Sequence, residues 1–258
     1  MIIELFGHPG AGKTTFAHAL CASLRDRGHV VRLVLSYRPS EPPPSVYPSA
    51  DEAIRPPATA VAKRLIRPAI EMLALARHPV ANSYDIIKAA ALMRVLPPRS
   101  FFWSVRMSQY IARLSHAWRQ ASRAEHIVLF DQAFVQAVCS LLSFQAREPD
   151  EALLAQALEH IPKSDLLIRL DAPHEALKAR LCDRIHQQSR IERLLEQHHD
   201  TDLVSMHLID QIHELLRKRG QPVICISSLD RRSLHDSVLR VGEQINSRSA
   251  AQHGETET

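Results

Sequence analysis

The stretch Phe6-Gly7-His8-Pro9-Gly10-Ala11-Gly12-Lys13-Thr14-Thr15 constrains the fold more than any other part of the chain. Three of the seven glycines fall within its six residues from Gly7 to Gly12, and Gly7 to Thr14 fits the pattern G-x-x-x-x-G-K-[ST]. The apolar run Met1 to Phe6 leads into it. Phe16, Ala19, Leu20, Ala22 and Leu24 follow at helical spacing, closed by Gly28. Strand, loop and helix in that order let successive backbone N–H groups converge on phosphate oxygens, with the positive end of the helix behind them. Gly7, His8, Pro9, Gly10, Ala11, Gly12, Lys13, Thr14 and Thr15 form the candidate cradle. Lys13 is placed to reach the β- and γ-phosphates of a nucleotide, and the Thr14 hydroxyl to meet Mg²⁺. A phosphate held this way can be transferred, hydrolysed or simply bound.

The remainder alternates strands with helices. The runs at His29 to Leu35, His126 to Phe130, Asp165 to Leu170 and Gln221 to Ile226 read as strands two to five. Helical patterns cover Glu151 to His160, Pro173 to Gln197, Asp202 to Arg219 and Arg231 to Ser247. This predicts a three-layer α/β fold: a five-stranded parallel sheet, helices on both faces, and binding at the C-terminal ends of the strands. Between strands two and three the pattern is interrupted. Pro39, Pro42, Pro43, Pro44, Pro48, Pro56 and Pro57 predict a long loop across the mouth of the site. About 53–124 reads as a helical insertion of three or so helices, the last from about Phe101 to Arg123. Residues 1–247 form a single domain on this reading, and 248–258 a disordered polar tail.

Charge is uneven. Ala53 to Ala124 holds twelve Lys or Arg against Glu71 and Asp85, about +10, so a chain of net charge +4 carries about −6 elsewhere. An anionic partner and a solvated helical face account for this excess equally well. Cys21, Cys139, Cys182 and Cys225 lie far apart and read as small core residues, and the histidines lack metal spacing. No run approaches the roughly 18 apolar residues of a membrane span, and the N-terminus enters the glycine loop without room for a leader; a cytoplasmic location is expected.

Two further groups of residues carry chemistry. Asp131, directly after "HIVLF", stands where an acid would hold Mg²⁺ together with Thr14, although a helix cap would also sit there. Gln132 and Gln136 follow it, either aimed at an acceptor or on an exposed polar face. After the fourth strand and Asp171, a helix sets Arg180 and Arg184 at i, i+4, followed by Arg190 and Arg193. Clustered guanidiniums suit the oxygens of a transferring phosphoryl group.

With "FGHPGAGKTT", "VVRLVLSYRP", "WSVRMSQ", "HIVLFDQ" and "LLIRLDAPHEALKARLCDR" in this order, residues 1 to 228 resemble the thymidylate kinase and deoxynucleoside kinase branch of the phosphate-loop kinases. The resemblance implies Arg106 as an acceptor-side arginine and Asp131 as the acid of the reaction centre. It implies Arg184 and Arg190 as a lid over the phosphates, with Arg180 beside them. Arg38 and Glu41, after the second strand, match the family's acceptor residues only loosely. Gln132 replaces the arginine that usually follows the acid, which removes a fixed positive charge from the reaction centre.

The expectation is an ATP-dependent phosphotransferase with Mg²⁺, in which Lys13, Asp131 and Arg184 serve the transfer. Its acceptor is a nucleoside or nucleoside monophosphate, or a sugar or glycan. The alternatives are an ATP-binding regulatory NTPase working through the basic insertion, and an ATP-binding protein seated on an anionic membrane surface. Specific nucleic-acid binding is not expected, because aromatics are few in the basic segment. A homodimer is compatible with the sequence.

Overall fold

The computed structural model describes residues 1–36, 87, 90–97, 101–143, 150–187 and 203–254. The proline-rich loop and most of the insertion lie outside the described residues. Among the described residues there are five strands: β1 (Ile2–Gly7), β2 (Val31–Val34), β3 (Ile127–Phe130), β4 (Leu166–Asp171) and β5 (Val223–Ser227). All pair in parallel, in the order β2-β3-β1-β4-β5. The helices are α1 (Lys13–Asp26), α2 (Phe101–Ala121), α3 (Phe134–Ser143), α4 (Glu151–Glu159), α5 (His174–Gln187), α6 (Leu203–Lys218) and α7 (Arg231–Gly254). This is the three-layer α/β architecture that the alternating pattern predicts.

β1 lies between β3 and β4, and every one of its residues is buried. Because side chains alternate across a strand, its residues divide between two cores. Ile3 and Leu5 join Leu129, Ile168 and Leu170 under α1 and α7. Ile2 and Phe6 join Val128, Phe130 and Leu167 under α2, α3, α4 and α6. Trp118 fixes α2 to that second core, stacked on Phe130 at 5.3 Å and edge-on to Phe134 at 5.4 Å. Leu92 and Leu96, from the described part of the insertion, are buried in the same core.

The topology places the site. The chain leaves β1 for α1 on one face of the sheet and leaves the adjacent β3 for α3 on the other. The C-terminal ends of β1 and β3 are therefore the switch point of the sheet, which is where ligands bind open parallel sheets.

Two readings of the sequence are corrected. The terminal polar segment does not begin as a tail: α7 continues to Gly254, since 243–253 holds no glycine or proline and Ala250, Ala251 and Gln252 favour helix. The cysteines are not all core residues: Cys21 and Cys139 are buried, but Cys182 and Cys225 are exposed. Cys225 lies on β5, next to the open edge of the sheet.

Candidate functional site

The loop after β1 is shaped by its glycines. Gly7 sits at φ 142°, and a Cβ added there would stand 2.3 Å from the carbonyl oxygen of Leu170 on β4. Only glycine lets the end of β1 run this close to its neighbour. Gly10 and Gly12 take φ 81° and 82°, the left-handed turns that bring loop amides to one side. Gly12 then caps α1 without a side-chain hydrogen bond, and no acidic residue occupies the first turn. The positive end of α1 is therefore not offset by a capping side chain or an acid of its own, which suits an anion.

Lys13 is buried, and its ammonium donates to the carbonyls of Gly7 at 2.8 Å and His8 at 2.9 Å. The charge is thus held inside the loop. His8 is buried alongside. Desolvation lowers the pKa of its imidazole, Asp171 pulls it up, and the Lys13 and Arg169 charges lower it further, so the ring is neutral at pH 7.

Thr14, in the first turn of α1, and Asp131, directly after β3, converge. The Thr14 hydroxyl donates to Asp131 Oδ2 at 3.1 Å, and the Ser36 amide donates to Oδ1 at 2.7 Å. The carboxylate is 1% exposed. These oxygens fit Mg²⁺: hard donors on one small octahedral cation with bonds of about 2.1 Å lie roughly 3 Å apart.

The loop is also tied from behind. Arg180 donates to the carbonyls of Gly10 at 3.3 Å, Ser228 at 2.6 Å and Leu229 at 2.8 Å. Ser228 donates to the Ala11 carbonyl at 2.7 Å. Arg180 thus straps the phosphate loop to the segment after β5. Asp171 closes a second network, in which the buried Arg169 meets Asp171 at 3.3 Å, Asp210 at 2.5 Å and His213 at 3.1 Å. Its backbone carbonyl also accepts from the Ser228 amide at 2.8 Å.

Arg106 projects from α2 with its guanidinium over the Trp103 ring, 5.1 Å from its centre. Gln132 is half-buried in the turn between Asp131 and α3. Arg38, Glu41, Arg190 and Arg193 lie outside the described residues, as does the side chain of Arg184. Among the described residues, no group of three or more His, Cys, Asp or Glu could hold a metal. No described helix is long and apolar enough to cross a membrane.

Sequence reasoning missed Glu4 and left Gln136 open. Glu4 is fully buried in the middle of β1, where Oε1 accepts from the Val135 amide at 2.6 Å and Oε2 from the Ser164 hydroxyl at 3.1 Å. Gln136 is not on an exposed face; its Oε1 accepts from the Gly7 amide at 3.3 Å. The available signal was one acid inside the apolar run "IIELFG".

Burial pushes the Glu4 carboxyl up to about 7, against the lowering effect of its hydrogen bonds. With the folded value raised, the protonated form is favoured on folding. The stability this contributes is complete below about pH 4.5 and is lost as pH rises through 7, a change of about 3 kcal/mol. Glu4→Gln should remove this component. In urea unfolding at pH 5 and pH 8, the wild type should lose stability relative to the variant by up to that amount. Equal changes in both proteins would show that Glu4 does not titrate in this range.

No protein-family model matches the chain, and no curated protein matches it. Three similar solved structures are all of deoxyadenosine kinase from M. mycoides, each 15% identical. With bound dCTP, the match covers 96% of this chain and 100% of that chain at TM-score 0.44. With the products dCMP and a flexible dCDP bound, the shares are again 96% and 100%, at TM-score 0.47. With bound dATP they are 93% and 98%, at TM-score 0.44.

Proposed function

We propose that the chain is an ATP-dependent phosphotransferase that moves the γ-phosphoryl group to a small acceptor of the nucleoside or nucleoside monophosphate class. The observation that carries this reading is the meeting of the Thr14 hydroxyl and the Asp131 carboxylate at 3.1 Å beside the Lys13 loop. A divalent cation bound by Thr14 and Asp131 would neutralise phosphate charge. Loop amides and the α1 N-terminus bind the phosphates, and Lys13 exchanges its loop carbonyls for phosphate oxygens. An acceptor oxygen bonds to the γ-phosphorus as the bond to the bridging oxygen breaks. The electron pair leaves with ADP, and the acceptor proton passes to solvent. Positioning and charge neutralisation do most of the work.

The acceptor side belongs to the same proposal. Arg106, Gln132, Arg38 and Glu41 would face the acceptor, and Arg184 and Arg190 would close on the phosphates. Arg180 fits a different part: its bonds to three backbone carbonyls suit a strap that shapes the loop.

The test is ADP formation from Mg²⁺-ATP against a panel of nucleosides, nucleoside monophosphates and sugars. Stimulation by one nucleoside or nucleoside monophosphate is expected, and a rate that no acceptor changes contradicts the reading. Asp131→Asn keeps the shape and removes the charge. It should lower the acceptor-dependent rate about 10²-fold and raise the Mg²⁺ concentration needed for half-maximal rate. An unaltered Mg²⁺ dependence would take Asp131 out of the metal site.

A further inference from the structure

We propose that Glu4 and Gln136 are a positioning pair for the first amide of the phosphate loop: Glu4 holds the first turn of α3, and Gln136, carried on that turn, holds Gly7. The inference rests on the nucleotide reading of the loop and adds two residues to it. The amides of the first turn of a helix have no acceptor within the helix. In α3 the Val135 amide is taken by Glu4 Oε1 at 2.6 Å, and a carboxylate there also meets the positive end of the helix. The other Glu4 oxygen reaches Ser164, just before β4, so one side chain ties together β1, α3 and the entry to β4. Gln136, the next residue along α3, is buried and accepts from the Gly7 amide.

The two bonds make a closed circuit. It leaves β1 at Glu4, passes through the first turn of α3, and returns to β1 at Gly7. Gly7 is also where β1 comes too near Leu170 for any Cβ. The circuit therefore sets the direction in which the loop departs from the sheet.

Apolar packing does not explain the carboxyl. Its neighbours on the same face of β1, Ile2 and Phe6, are core residues, and an aliphatic side chain would suit that face. Among the described residues, the titratable groups that interact with Glu4 are Tyr110 from α2 and Cys139 from α3, both held protonated by burial. Neither is a cation that could account for a buried acid. Glu4 and Gln136 act through the loop and touch no reacting atom.

The test is Mg²⁺-ATP affinity at pH 8, by calorimetry on the full chain, for wild type, Glu4→Gln, Gln136→Leu and the double variant. Gln136→Leu removes the acceptor of the Gly7 amide and should weaken binding about tenfold. Glu4→Gln keeps one acceptor and loses the charge, and should weaken binding about threefold while resisting urea better than wild type. A purely structural role would move both readouts in the same direction. The double variant should bind no more weakly than Gln136→Leu alone, because the route is a single one. Wild-type affinity in either single variant, or multiplied effects in the double, would overturn the pairing with the loop reading intact. A wild type that binds no Mg²⁺-ATP would remove both. Should Gln136→Leu not fold, hydrogen exchange at the Gly7 amide in Glu4→Gln reads the same circuit. Exchange several-fold faster than wild type is expected, and an unchanged rate contradicts it.

Discussion

Lys13→Ala is expected to lower nucleotide turnover about 10³-fold while the protein remains folded. The ammonium is sealed inside the loop, 6% exposed and donating to the carbonyls of Gly7 and His8. Phosphate oxygens are stronger acceptors for a buried ammonium than the backbone carbonyls it meets here, so its interaction strengthens as anionic charge enters the loop. Removing it takes away a positive charge next to the γ-phosphoryl group. It leaves two carbonyls that water can satisfy through the shortened side chain. Circular dichroism should therefore match wild type, and turnover within tenfold of wild type would place the working charge elsewhere.

Gly7→Ala should be the most destabilising single substitution in the loop. The residue needs a φ of 142°, and the new Cβ would meet the Leu170 carbonyl at 2.3 Å. Leu170 is fully buried in β4, so relief requires the two central strands to part. Backbone strain and overpacking together should cost about 3 kcal/mol or more, lowering Tm by roughly 6–12 °C. Gly28→Ala is the comparison. That glycine has φ 88° but no atom within 4 Å of the added Cβ, so only conformational strain, about 1 kcal/mol, is expected. If the two variants melted together, the close approach at Leu170 would not be a constraint on the loop.

The parts of this molecule legible in sequence are those governed by local periodicity. The strand runs, the loop and the helices after Gly12, Asp150 and Asp202 follow from apolar spacing and end signals, and they stand within a few residues of expectation. Asp131 was legible because the end of a strand is a defined place in a parallel sheet. Glu4 was not, since an isolated acid in "IIELFG" has no periodic meaning. Its partners, Val135 and Ser164, lie 131 and 160 residues away. Gln136 is undecidable from sequence for the same reason: the amide it accepts from belongs to β1. Spacing puts Arg180 on one helix face with Arg184, which suits a phosphoryl group. Whether it shapes the loop or covers a phosphate depended on where the Ser228 and Leu229 carbonyls fall, which only the crossover to β5 determines. The exposed Cys182 and Cys225 carry the same lesson, because apolar neighbours in sequence do not fix which face of an element looks outward.

The most direct measurement follows the γ-phosphorus of Mg²⁺-ATP by phosphorus NMR in the presence of each acceptor of the panel. The expected result is a new phosphoester or phosphoanhydride resonance on one nucleoside or nucleoside monophosphate, formed at the rate ADP forms and absent with Lys13→Ala. Release of the same phosphorus only as inorganic phosphate, at a rate indifferent to every acceptor, would contradict the phosphotransferase reading.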